Sequence, residues 1–133
     1  MQNMYTAKTK KIRVTVEPQY MAERSDPVES RFFWAYTVEI ANDGPVPVQI
    51  LARHWIITDQ LGRREDVRGI GVVGEQPVIA PGASFSYTSG CPLTTPSGTM
   101  VGTYQAIGDD GEVFTVAIPA FSLDIPGEKR MLN

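Results

Sequence analysis

The chain has 133 residues, a net charge of −3 and a 20% share of charged side chains, which suits one domain with one core and leaves no room for a separate catalytic domain beside it. Without a basic excess there is no electrostatic basis for nucleic-acid binding. Cys91 is the only cysteine, no apolar leader follows the N-terminal lysines, and nowhere do eighteen apolar residues run together; the expectation is a cytoplasmic protein, neither exported nor inserted in a membrane, with no intrachain disulfide.

Along the chain, residues 1–10 are polar and read as a flexible N-terminal segment. From Lys11 to Pro126 short apolar alternations recur between Gly, Pro, Asn and Asp, and this is strand periodicity. In "KIRVTVEP", Ile12, Val14 and Val16 alternate with Arg13, Thr15 and Glu17. In "RFFWAYTVEIAND", Phe32, Trp34, Tyr36, Val38 and Ile40 form the expected core face, and Phe33, Ala35, Thr37, Glu39 and Ala41 the other. The β-branched run "VPVQILARHWIITD" leads to a reversal at Leu61 and Gly62. "VIAPGASFSYTSG" sets Phe85 and Tyr87 against Ser84, Ser86 and Thr88, and two alternating runs joined at Asp109, Asp110 and Gly111 spell a hairpin. With 12 glycines, 10 prolines and no helical stretch of useful length, the expected fold is all-β: an antiparallel β-sandwich, immunoglobulin/fibronectin type III-like, of about seven to nine strands over residues 11–126. Residues 127–133 read as a flexible C-terminal tail.

Between Asp66 and Gln76 lies "VRGIGVVGE", where Gly69, Gly71 and Gly74 make GxGxxG. A dinucleotide-binding loop needs a buried strand before it, a helix after it and an acidic residue about 20 positions on. None is present: charged residues precede the loop, Pro77 follows, and nothing between Glu75 and Asp109 is acidic. Two readings remain: a structural turn whose glycines supply positive φ, or an anion-cradling nest of amides at Gly69, Gly71 and Gly74 with Arg68 beside it, for a phosphate- or pyrophosphate-bearing ligand.

His54, the one histidine, reads as a half-buried strand residue with one satisfied nitrogen, and Cys91 as a small buried hydrophobe. Asp109, Asp110 and Glu112 have a sufficient explanation in turn chemistry. No catalytic constellation, metal site or cofactor is assigned. From Gln76 to Gly108 the sequence holds no Asp, Glu, Lys, Arg or His, yet nine Ser or Thr. Such a segment is either covered by other strands or is a contact surface with Ser84, Ser86 and Thr88 outward.

The blocks "RHWIITD" (Arg53–Asp59), "VRGIGVVGEQPVIAPG" (Val67–Gly82), "YTSGCPLTTPSGTMVGTYQ" (Tyr87–Gln105) and "FTVAIPAFSL" (Phe114–Leu123) resemble the signature segments of the ApaG proteins, in order and over nearly all of residues 11–126. The resemblance implies a fibronectin type III-like sandwich. It also implies a small cytosolic protein linked genetically to cobalt and magnesium tolerance and often labelled an ion-efflux protein. Related domains in larger eukaryotic proteins, including F-box proteins and a polymerase-interacting protein, look like protein-binding modules. A chain without a membrane span cannot itself conduct an ion, so the expected function is a non-enzymatic protein-interaction module that affects metal efflux indirectly. The alternatives are a sensor of a phosphate-bearing metabolite and a metal-dependent phosphohydrolase, for which Glu65, Asp66 and Glu75 are the local carboxylates. A homodimer through a sheet edge is a further expectation.

Overall fold

A computed structural model describes residues 3–127. Nine strands run in chain order: β1 (Tyr5–Thr9), β2 (Ile12–Tyr20), β3 (Phe32–Asn42), β4 (Val48–Asp59), β5 (Arg64–Ile70), β6 (Val78–Ile79), β7 (Ser84–Leu93), β8 (Gly98–Gly108) and β9 (Val113–Leu123). They form two sheets, β1-β2-β3-β7 and β5-β4-β8-β9 with β6 also on β4, and every pairing is antiparallel. The architecture is the expected all-β sandwich.

The inward faces follow the alternation. Ile12, Val14 and Val16 of β2 and Phe32, Trp34, Tyr36, Val38 and Ile40 of β3 are buried, against Ile50, Trp55, Met100, Tyr104, Val116, Ile118 and Phe121 of the other sheet. Tyr36, Trp55 and Phe121 pack edge-on or tilted at ring separations of 5.3–6.1 Å, the geometry favoured by ring quadrupoles.

The structure differs from expectation at the N-terminal end. Tyr5–Thr9, read as flexible, is strand β1, paired along its length with β2. The charged "KTKK" conceals a two-residue hairpin: Lys10 and Lys11 both take positive φ, 46° and 66°, which matches a type I′ turn though lysine seldom adopts it. Tertiary contacts hold the conformation, since the Tyr5 ring lies 6.0 Å from Phe121 and Thr9 Oγ1 accepts from Ala117 N at 3.1 Å. The tail expected at 127–133 lies, beyond Gly127, outside the described residues.

The β3 alternation ends with Ile40, Ala41 and Asn42 all buried, because the chain before β7 folds across the strand end, with Gly82 N donating to Asn42 O and Asn42 N to Ala83 O. Buried Asn42 has both ends of its amide satisfied: Nδ2 donates to Val46 O (2.7 Å) and Ile79 O (2.9 Å), and Oδ1 accepts from Gly44 N (2.9 Å).

Candidate functional site

The glycine segment closes onto an irregularity in β4. The β4–β8 register shifts between Ile50 and Ala52, making Leu51 the extra residue of a bulge. Its carbonyl accepts Gly71 N at 2.7 Å and Gln76 Nε2 at 3.0 Å. Beyond Gly71 the chain turns tightly: Val72 N donates to Glu75 O (2.7 Å), Glu75 N donates to Val72 O (3.0 Å), and Val73 and Gly74 between them have φ of 43° and 82°. This is a two-residue type I′ reversal. No helix follows, in agreement with the rejection of a dinucleotide loop.

Each glycine of GxGxxG has a different physical reason. At Gly71 (φ 66°) a Cβ would stand 2.1 Å from Glu75 O; at Gly74 (φ 82°) it would meet nothing within 4 Å, so only the backbone angle matters. Gly69 is the base on which a guanidinium rests, since a Cβ there would lie 2.6 Å from Arg53 Cζ. Arg53 Nη1 donates to Ile70 O (3.2 Å) and Gly71 O (3.0 Å). Of the amides expected to form a nest, that of Gly71 is committed to the Leu51 carbonyl, and the neighbouring amides of Val72 and Glu75 are likewise committed to backbone carbonyls.

The arginine that engages the glycines is thus Arg53, which the sequence reading missed. Directly opposed positions share a face, and Arg53 sits opposite both Gly69 and buried Tyr104, so it points toward the interior. There, Tyr87 and Tyr104 hydrogen-bond through their hydroxyls. Burial pushes the phenols of Tyr36, Tyr87 and Tyr104 above the ordinary tyrosine value, with the Arg53 charge opposing it. The signal for Arg53 would have been the bulge, which reverses the phase of β4 after Leu51 and which no turn residue announces.

Arg68 lies on the outer face of β5, opposite His54, which in turn is opposite Thr103 of β8. His54 is half-buried, and its Nε2 is 2.9 Å from Asp66 Oδ2. Arg64 Nε and Nη2 donate to the same carboxylate at 2.7 and 3.1 Å, and Arg68 Nη2 lies 3.9 Å from it. The Arg64 guanidinium, then the His54 ring, hold Asp66 well below the usual carboxylate range. A shallow depression of 460 Å³ opens here, lined by His54, Arg68, Gly69, Ile70, Thr103 and Gln105 among others. Arg68 and Gly69 share this depression, while Gly71 and Gly74 do not line it.

Ser84, Ser86 and Thr88 are exposed on the outer face of β7, with Phe85 half-buried and Tyr87 and Cys91 buried on the other. Burial, then the Glu65 charge, pushes the Cys91 thiol up to about 12. Thr88 and Thr37 hydroxyls bond across the β3–β7 pair at 2.9 Å. At the far end Gly90 leaves room for the Phe33 ring, over which the Arg24 guanidinium sits at 4.2 Å. The charge-free segment thus divides in two. β8 lies inside its sheet between β4 and β9, whereas β7 is an edge strand with its hydroxyl face open.

Among the described residues, no group of three or more His, Cys, Asp or Glu is placed to hold a metal ion, and no helix is long and apolar enough to cross a membrane.

The family model of the ApaG domain matches residues 22–108. The chain belongs to the ApaG family. Protein ApaG of Afipia carboxidovorans is 57% identical over 130 residues, 98% of this chain and 100% of the relative, and Protein ApaG of a Methylobacterium species is 58% identical over the same shares. A crystal structure from Bordetella pertussis bearing the name ApaA superposes with a TM-score of 0.85 at 48% identity, covering 96% of this chain and 97% of that one. The matched ApaG segment contains the bulge, the glycine turn and β7, but neither β1 nor β9.

Proposed function

We propose that this ApaG-family chain is a non-enzymatic protein-interaction module of the cytoplasm that docks a partner protein on the outer face of β7 and β3. The observation that carries the reading is the row of Ser84, Ser86 and Thr88, neutral and exposed on a strand that holds no charged residue. An ordinary solvated strand face scatters charges, whereas the centre of a contact surface loses them. Flat sheet faces with short hydroxyl side chains give a partner hydrogen-bonding groups at little cost in side-chain entropy. An influence on cobalt or magnesium tolerance is then indirect, exerted through the partner.

The test is affinity capture from native cytoplasm with the wild type and with Ser86→Lys/Thr88→Lys, after both are shown to melt at the same temperature. The expected result is that discrete partners are lost with the variant; an unchanged captured set defeats the reading.

A second reading has its own observation. The depression beside Arg68 and His54 suits a phosphate-bearing ligand, with Arg68, Thr103 and Gln105 as donors. On this reading side chains rather than the Gly71 amide hold the anion. Saturable stabilisation by pyrophosphate in thermal melts, abolished by Arg68→Ala, is its expected signature.

A further inference from the structure

The two sheets present four outer strands, and three of them carry devices that discourage pairing with another chain. β1 is only five residues long and bears Lys8. β5 carries Arg64, Glu65, Asp66 and Arg68 within seven residues. β9 contains Pro119, its register against β8 shifts between Met100 and Gly102, and Thr9 Oγ1 takes its Ala117 amide. β7 differs in each respect. It is ten residues long and uncharged, it pairs with β3 in unbroken register from Ser84 to Leu93, and its one proline, Pro92, stands beside its end. Alternate residues of such a strand direct amide and carbonyl away from β3, where, among the described residues, no strand pairs with them.

We propose that the free edge of β7 is a self-pairing edge: β7 of one copy adds antiparallel to β7 of a second copy about a two-fold axis, joining two four-stranded sheets into one of eight. The strand's charge pattern selects this occupant. Two-fold pairing sets β7 against itself, so an ionised side chain near the axis would meet its own copy, and like charges directly opposed destabilise a pair. β7 offers only hydroxyls, glycine and proline on the outer face, and on the inner face the half-exposed Phe85, 6.3 Å from Tyr87, gains cover. Ten residues give a seam of roughly 33 Å. The two hydroxyl rows would then form one continuous neutral platform, which extends the docking reading without resting on it.

Analytical ultracentrifugation of the purified chain from about 1 μM to about 1 mM covers the range expected for a small polar interface. A reversible monomer–dimer equilibrium is expected, weakened at least about tenfold by Thr88→Lys, which sets two ammonium groups near the axis. Monomer throughout, or a dimer indifferent to Thr88→Lys, overturns the proposal. Spin labels on Ser84→Cys, Ser86→Cys and Thr88→Cys, with buried Cys91 left in place, report the geometry independently. Antiparallel pairing changes the inter-copy separation by about 13 Å for each two-residue step along β7; equal separations at all three sites overturn it. A monomer whose Ser86 and Thr88 still decide the captured proteins removes this proposal and leaves the docking reading standing.

Discussion

Gly71→Ala and Gly74→Ala place the same methyl group at two positive-φ positions three residues apart, and the structure assigns them different costs. Gly74, at φ 82° with nothing within 4 Å of a Cβ, carries only the left-handed backbone penalty, about 1 kcal/mol after the smaller unfolded-state entropy of alanine is counted. Gly71 carries that penalty too, but its methyl would lie 2.1 Å from Glu75 O, where contacts under 3.0 Å do not occur. Relief requires the Glu75 carbonyl to retreat by almost an ångström. That breaks the pair of hydrogen bonds joining Val72 and Glu75, at about 1 kcal/mol each, and disturbs the Gly71–Leu51 bond for about another. The expected losses are about 4 kcal/mol at Gly71 against about 1 at Gly74, the former a large part of an ordinary domain's stability. Urea titration by tryptophan fluorescence measures both, with the m-value as a check that unfolding stays two-state. If Gly71→Ala costs within about 1 kcal/mol of Gly74→Ala, the close approach does not constrain the turn and the reasoning fails.

Asn42→Ala should cost about 3 kcal/mol, because it strands the Val46 and Ile79 carbonyls and the Gly44 amide at the closed end of the sandwich; thermal melting checks this, and Asn42→Asp, unable to donate, should not rescue it. The Arg13 guanidinium holds Asp43 below the usual carboxylate range as Arg64 and His54 hold Asp66. A carboxyl whose folded value is depressed contributes stability that is complete above its unfolded value, about pH 4, and is lost as pH falls through the folded value. Asp43→Asn/Asp66→Asn should therefore flatten the acid side of a stability–pH curve and lower its neutral plateau, read as urea midpoints. Cys91, 2% exposed and with its thiol pushed up to about 12, should resist iodoacetamide at neutral pH and label at the rate of unfolding; burst labelling of the native protein would contradict its burial.

The core was legible where the alternation was uninterrupted. Phe32 to Ile40 reads as a half-buried strand because its period of two runs for nine residues, and the hairpins at Gly62 and Gly111 are announced by glycines with φ of 83° and 82°. The Lys10–Lys11 turn was not legible, since nothing local favours positive φ at lysine and the contacts of Tyr5 and Thr9 with β9 hold it. The candidate site was legible in its glycines but not in their partner. GxGxxG marked a place where backbone packs closely, yet the group that fills the space at Gly69 is Arg53, sixteen positions earlier in the chain. Placing it required the phase of β4, and that phase depends on tertiary pairing. The neutral segment was read as one unit, and the structure separates it because strand order, which sequence periodicity does not encode, makes β8 central and β7 an edge.

The bulge at Leu51 has a consequence for how the sequence tolerates change in length. A residue missing from the middle of a strand ordinarily turns all that follows to the wrong face, but Leu51 stands opposite no residue of β8, so its deletion would bring Ile50 and Ala52 into regular register against Ala106 and Gln105. Arg53 would stay opposite Tyr104, His54 opposite Thr103 and Trp55 in the aromatic cluster it shares with Tyr36 and Phe121. What would go is the Leu51 carbonyl that anchors Gly71 N and Gln76 Nε2, so the loss would fall on the glycine turn while the core kept its register.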